Sequence, residues 1–196
     1  MILKDGLNIG REIQRKVIHL VTTVIPLAYI SVLPRKEHIF LICVFMSIGF
    51  LTVDLLRLYW KTAEKYFLKL FSILLREKET ENQLTGATYL FIGMTLTVLL
   101  FPKEIAVCVL MFLTIADPIA AIAGKTLPIK KIFNKSLGGT LGFLITAVMI
   151  AGAINGLTPL TFIVASSAAI VELIPLGVND NLSIPVISGY VFLILR

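Results

Sequence analysis

Apolar runs of membrane-spanning length alternate along the chain with short polar stretches. A helix that crosses a bilayer needs about 17–25 largely apolar residues. Val17–Leu33, His38–Leu55, Gly86–Phe101 and Glu104–Gly124 answer to that pattern, the last interrupted by Asp117. The stretch Ser136–Val171 then runs for 36 residues without a charge, too long for one span. Asn155-Gly156 and Thr158-Pro159 in its middle are turn signals. The run therefore divides into Leu137–Ile154 and Pro159–Leu173, and Leu182–Leu195 closes the chain. The pattern predicts an all-α, polytopic membrane bundle of about seven transmembrane helices, forming one domain over residues 1–196.

Between the second and third spans, Tyr66/Phe67, Leu70/Phe71 and Leu74/Leu75 recur at a four-residue interval, with Lys61, Lys65, Lys69, Ser72 and Arg76 on the remaining faces. That periodicity predicts an amphipathic helix over 61–76 lying in the interface rather than crossing it.

Composition agrees. The chain is 57% hydrophobic and 15% charged, with a mean hydropathy of +0.93. A soluble core of 196 residues could not bury that much apolar surface. The net charge of +6 is spread over short loops, which sets membrane orientation and does not indicate nucleic-acid binding. With the N-terminus inside, fourteen Lys and Arg fall on the inner side and four on the outer. This predicts an N-in, C-out topology in a cell (inner or plasma) membrane, with residues 1–16 cytoplasmic and no cleaved signal. Cys43 and Cys108 lie inside apolar runs and read as small buried hydrophobes.

Candidate chemistry collects at the predicted cytoplasmic helix ends. Lys16 and His19 share a face where the first helix begins. Asn82, Thr85 and Gly86 open the third, where free N–H groups can hold an anion or the hydroxyl can simply cap the helix. Asp117 stands inside an apolar helix, where a carboxylate costs on the order of 2.5–3.5 kcal/mol, so it marks a functional site. Pro118 frees the carbonyl of Thr114 and predicts a kink. An ion pair from Asp117 to Lys125 or Lys135 is the plainer reading. Gly124-Lys125-Thr126 imitates the end of a P-loop, but Ile119 stands where the first glycine is required, which excludes that site. Lys135, Ser136, Gly138, Gly139 and Thr140 open the fifth helix as a phosphate cradle or as a capped start with a glycine packing patch. Glu172, Asp180 and Asn181 bound the last inner loop. Hard oxygen ligands beside a basic cradle suit Mg²⁺. Asp54 and Arg57 read as an intrahelical pair, or as support for the site.

Taken in order, Arg15-Lys16-x-x-His19, Leu84-Thr85-Gly86-Ala87-Thr88-Tyr89, Asp117-Pro118-x-Ala-Ala-x-x-Gly124-Lys125, Lys135-Ser136-x-x-Gly139-Thr140 and Glu172-x-x-Pro175-x-Gly177-x-x-Asp180-Asn181 resemble the dolichol kinase, phytol kinase and CTP-dependent diacylglycerol kinase family. The resemblance runs from Arg15 to about Pro185. It implies transfer of the γ-phosphoryl group of CTP, or another nucleoside triphosphate, to the hydroxyl of a membrane lipid alcohol. It also implies nucleotide-phosphate contacts from Lys16, Lys125 and Lys135. Asp117 and Asp180 would bind metal or position the hydroxyl, with Glu172 as a further metal ligand. Ser136, Gly138, Gly139 and Thr140 would line the phosphate cradle, with His19, Thr85, Gly86 and Asn181 also at the nucleotide. Eukaryotic dolichol kinases are much longer, so this chain looks like a minimal core and its lipid cannot be inherited from any one relative. The competing expectations are a phosphatidate cytidylyltransferase, a small lipid transporter or flippase, and a structural membrane subunit. Homo-oligomerisation is left open.

Overall fold

The computed structural model describes residues 14–71, 75, 83–127, 129–133 and 135–196. The described chain is helical nearly throughout. Helix α1 occupies 14–22 and α2 is Val24–Ser31, followed by α3 (Lys36–Tyr59) and α4 (Lys61–Phe71). After α5 (Gly86–Leu100), α6 (Lys103–Met111) passes through a π-turn, Phe112–Ala116, into α7 (Asp117–Thr126). A two-residue antiparallel ladder, β1 (Lys131–Ile132) with β2 (Lys135–Ser136), leads to α8 (Leu137–Asn155), α9 (Pro159–Leu173) and α10 (Asp180–Leu195).

Among the described residues, three helices are long and apolar enough to cross a membrane: Lys36–Tyr59, the continuous Lys103–Thr126, and Leu137–Asn155. Gly86–Leu100, Pro159–Leu173 and Asp180–Leu195 are apolar but shorter. A 15-residue helix is roughly 22 Å long against a hydrocarbon core of about 30 Å. With apolar side chains such as Phe45, Val32, Met149 and Ile194 exposed around the bundle, the chain is a membrane protein.

Helix breaks follow the chemistry of the chain. Pro26 has no N–H to give the carbonyl of Thr22, so the expected first span divides at Thr23 into α1 and α2. Pro118 does the same to Thr114, and the chain answers with a π-turn: Asp117 N–H donates to the carbonyl of Phe112, five residues back. The uncharged 36-residue run divides where its turn signals lie, at Gly156 with φ +81°. Thr158 and Thr161 close a reciprocal capping box that starts α9 at Pro159.

The described part of the amphipathic helix is Lys61–Phe71, and Leu75, inside the expected 61–76, is buried and non-helical. Ser72, Leu74 and Arg76 lie outside the described residues. Residues 14–16, expected in the cytoplasmic tail, are helical and continuous with the rest of α1; 1–13 lie outside the described residues. On α4, Tyr66, Leu70 and Phe71 are exposed, and Tyr66 shares a shallow groove with Lys61, Thr62, Lys65 and Lys69.

The α6–π–α7 helix is the hub, with Ile105 to Leu113 buried almost without interruption. It packs against α2, α8 and α10, while α5 packs against α3 and α10, and α9 lies between α8 and α10. A close glycine seam joins α7 to α8. A Cβ on Gly138 would meet the carbonyl oxygen of Leu127 at 2.3 Å, one on Gly139 that of Ala120 at 2.9 Å, and one on Gly142 the Ala123 methyl at 2.7 Å.

At the opposite end from Asp117, Lys36 donates to the carbonyls of Leu99 (2.8 Å) and Phe101 (3.3 Å), closing the C-terminus of α5. Arg196 pairs with Glu104 at 2.5 Å, and the Lys103 ammonium lies 5.3 Å from the centre of the Tyr29 ring.

Gly138→Ala forces a methyl group onto backbone and is expected to destabilise the fold by about 1–3 kcal/mol. Gly49, inside α3 with nothing within 4 Å of an added Cβ, is the control, and Gly49→Ala should leave stability unchanged or raise it by up to about 1 kcal/mol. Thermal melting of both variants in detergent by circular dichroism checks this; equal melting temperatures would refute the seam.

Candidate active site

Two charged clusters meet at one end of the bundle. In the first, α1 presents Lys16 and His19 one turn apart to the start of α7. Lys16 Nζ donates to Asp117 Oδ2 at 2.5 Å, and His19 Nδ1 lies 3.4 Å from the same oxygen and 3.4 Å from the Leu113 carbonyl. Asp117 is 5% exposed. The π-turn fixes where this carboxylate faces, because each residue added to an α-helix rotates the later side chains by about 100°. The plainer sequence reading, pairing to Lys125 or Lys135, is corrected: the partner is Lys16, 101 residues earlier in the chain.

In the second cluster, the β1–β2 hairpin carries Lys135 to the ends of α9 and α10. Its ammonium lies 2.9 Å from Glu172 Oε1 and 2.8 Å from Asp180 Oδ2, and it donates to the backbone carbonyl of Glu172 as well. The Thr140 hydroxyl approaches Glu172 Oε2 at 3.5 Å. Burial opposes the charge on Lys135, but the carboxylates of Glu172 and Asp180 outweigh it and hold its pKa above the ordinary 10.5. Asp117 lies within electrostatic range of Lys135 and of Glu172, so the two clusters share one field. The outer rim is open: the side chains of Lys135 and Asp180 are 28% and 32% exposed.

The other residues expected at the site hold its walls. Ser136 caps α8, accepting from Gly139 N–H at 3.1 Å while donating to the Gly124 carbonyl at 3.1 Å. Gly138 and Gly139 face α7, where a Cβ on either would meet backbone of that helix end. Lys125 is exposed near the end of α7 and forms no ion pair among the described residues. Thr85 caps α5, and the anion at that helix start is the protein's own Asp54, which receives Thr85 N–H at 2.7 Å. The Gly86 carbonyl accepts from Asn181 Nδ2 at 2.8 Å, tying the start of α10 to α5. Asn82 lies outside the described residues.

No trio of carboxylates and imidazoles is grouped for a metal among the described residues. Glu172 and Asp180 are close enough to share one cation, the Lys135 ammonium, and as hard oxygen donors they fit Mg²⁺. Asp117 faces Lys16 and His19 instead of joining them. Asp54 contributes more than its sequence position suggested: a carboxylate three residues before an arginine signals an ion pair, and nothing local signals that it also holds another helix.

No protein-family model matches the chain, and neither does any solved structure. An uncharacterized protein of Rickettsia prowazekii is 30% identical over 184 residues, 89% of each chain. CTP-dependent diacylglycerol kinase 1 of Schizosaccharomyces pombe is 30% identical over 169 residues, 74% of this chain and 76% of the yeast protein. An uncharacterized protein of Methanocaldococcus jannaschii is 31% identical over 190 residues, 92% of each chain.

The raised pKa of Lys135 has a sign that can be measured. Its stabilising contribution is complete below its unfolded value, about 10.4, and is lost only as pH rises through the higher folded value. The melting-temperature difference between wild type and Lys135→Met should therefore stay constant from about pH 7 to pH 9.5. A difference that shrinks within that window would contradict the ion pairing.

Proposed function

The chain belongs to the membrane lipid kinase family that includes CTP-dependent diacylglycerol kinase 1 of Schizosaccharomyces pombe, and from that premise we propose that it transfers the γ-phosphoryl group of CTP, or another nucleoside triphosphate, to the hydroxyl of a membrane lipid alcohol. The acceptor class is a polyprenol or dolichol, a phytol-like isoprenoid alcohol, or diacylglycerol. The reaction takes place at the cytoplasmic face of the cell membrane, the side favoured by the distribution of Lys and Arg.

The observation that carries this reading is the meeting of Lys16, His19, Asp117, Lys135, Glu172 and Asp180 from five separate parts of the chain at one end of the bundle. Phosphoryl transfer asks chiefly for positioning and for neutralisation of phosphate charge. In this reading, the nucleotide phosphates compete with the carboxylates for Lys16 and Lys135. Lys125 and the Thr140 hydroxyl meet the phosphates at the rim, while Ser136, Gly138, Gly139, Thr85, Gly86 and Asn181 keep the helix starts in place. As Lys16 turns to phosphate, Asp117 is released to accept the proton of the lipid hydroxyl, with His19 beside it. The lipid oxygen bonds to the γ-phosphorus, the bond from that phosphorus to the β-bridging oxygen breaks, and the nucleoside diphosphate leaves with the electron pair. Mg²⁺, when bound by Glu172 and Asp180, supplies further neutralisation of phosphate charge.

Purified protein with γ-labelled CTP or ATP, Mg²⁺ and a panel of the three alcohol classes is expected to yield a labelled lipid phosphomonoester. A CDP-lipid with pyrophosphate release would replace the kinase reading with a cytidylyltransferase. Asp117→Asn should lower kcat by roughly 10²–10⁴-fold while keeping the helical circular dichroism signal. Wild-type turnover in that variant would remove Asp117 from the chemistry.

A further inference from the structure

Asp54 is fully buried in α3 and has no part in the chemistry above. Its Oδ2 receives three hydrogen bonds from α5: Thr85 N–H at 2.7 Å, the Thr85 hydroxyl at 3.0 Å and the Thr88 hydroxyl at 2.6 Å. Arg57, 3% exposed, donates to Oδ1 at 3.2 Å and to the Gln83 carbonyl at 2.7 Å, and lies over the Phe67 ring of α4 at 5.3 Å. A serine or threonine caps a helix without burying charge. Burying an ion pair brings little net stability, so capping alone is a weak reason for this arrangement.

What the network adds is rigidity where α5 meets α10. The first turn of α5, pinned to α3 by Asp54, offers the Gly86 carbonyl to Asn181 Nδ2 at 2.8 Å. Two turns later Gly93 lies so close to α10 that a Cβ there would sit 2.3 Å from the Asn181 carbonyl oxygen. Pro185 cannot donate to that carbonyl, which leaves it facing Gly93. Asn181 is thus held by both its side chain and its backbone, and its neighbour Asp180 meets Lys135 at 2.8 Å.

We propose that Asp54 is a positioning residue for the phosphoryl-transfer site, setting Asp180 against Lys135 through Thr85, Gly86 and Asn181. The proposal rests on the kinase reading and names a part of the site that does not touch the nucleotide. Asp54→Asn keeps one acceptor oxygen but removes the negative charge that faces Arg57 from Asp54; Asp54→Ala removes every bond that Asp54 makes to α5.

The test compares wild type, Asp54→Asn, Asp54→Ala, Asn181→Ala and the Asp54→Ala/Asn181→Ala double variant in lipid nanodiscs. It measures kcat, the KM for lipid alcohol, and the Kd of a non-hydrolysable CTP analogue. Asp54→Ala should lower kcat roughly 10–100-fold and weaken the analogue, with the lipid KM nearly unchanged and Asp54→Asn in between. The double variant should lose no more than the worse single variant, because both act on one path. A merely structural Asp54 would lower the yield of folded protein while leaving the kinetic constants of the folded fraction as they are. That result, or multiplicative losses in the double variant, overturns the proposal. If Asp54→Ala does not fold, Thr88→Val removes one of the three bonds in a near-isosteric side chain, and unchanged kcat and Kd there overturn it equally. A wild-type protein that phosphorylates no lipid alcohol overturns the kinase reading itself, an outcome separate from active wild type with unaffected variants.

Discussion

A carboxylate in the most buried helix of an apolar bundle has to be met by a cation, and the ion pair between Asp117 and Lys16 is where the fold meets that demand. The two residues stand 101 positions apart, on the first helix and the central one, and neither is stable in an apolar surround without the other. Their pairing fixes α1 against α7 at one height and one rotation. The π-turn before Asp117 belongs to the same constraint, since it sets the face from which the carboxylate emerges. Lys135 repeats the solution with two carboxylates, drawing the hairpin, α9 and α10 to one point.

The two ends of the bundle use charge differently. At one end Lys36, Lys103 and Arg196 cap carbonyls, sit over a ring, or pair at an exposed edge. Surface pairs of that kind contribute little and serve to close loops. At the other end Lys16, Asp117, Lys135, Glu172 and Asp180 are buried or half-buried and share partners. Apolar packing joins the ends along the central helix, and the glycine seam brings α7 and α8 close enough for Ser136 to bond the Gly124 carbonyl. The site's walls are therefore also among the bundle's tight contacts.

How far the chain could be read in advance depended on whether a feature is local. The division of the long uncharged run was legible because Asn155-Gly156 and Thr158-Pro159 carry their own turn and cap chemistry. Asp117 was legible because one charge in an apolar helix breaks the pattern. The break at Thr23 had a local signal in Pro26, but the apolar pattern continues through it and masks the division. The π-turn had only half a signal: Pro118 announces a lost hydrogen bond, not whether the chain kinks or takes in an extra residue. Gly138 and Gly139 suit close approach by either a phosphate or a helix backbone, and nothing local in the sequence announced that α7 packs against them. Asp54 shows the same limit, since its partners lie 31 and 34 residues away and no local pattern selects them.

Under the kinase reading, the paired state of the site answers two opposed requirements. Insertion of the chain into a membrane favours every buried charge already matched. Phosphoryl transfer needs lysines free for phosphate and a carboxylate free for a proton. A triphosphate reconciles the two by exchange: each lysine gives up a carboxylate and takes a phosphate oxygen, so no cation in the apolar surround is left alone. The carboxylate appears as a base only when the phosphoryl donor is in place, which limits idle proton transfer to the lipid hydroxyl. Exchange of this kind works only if the partners stay close while they change hands. The pinned start of α10 and the cap that Asp54 places on α5 keep the participants within that distance.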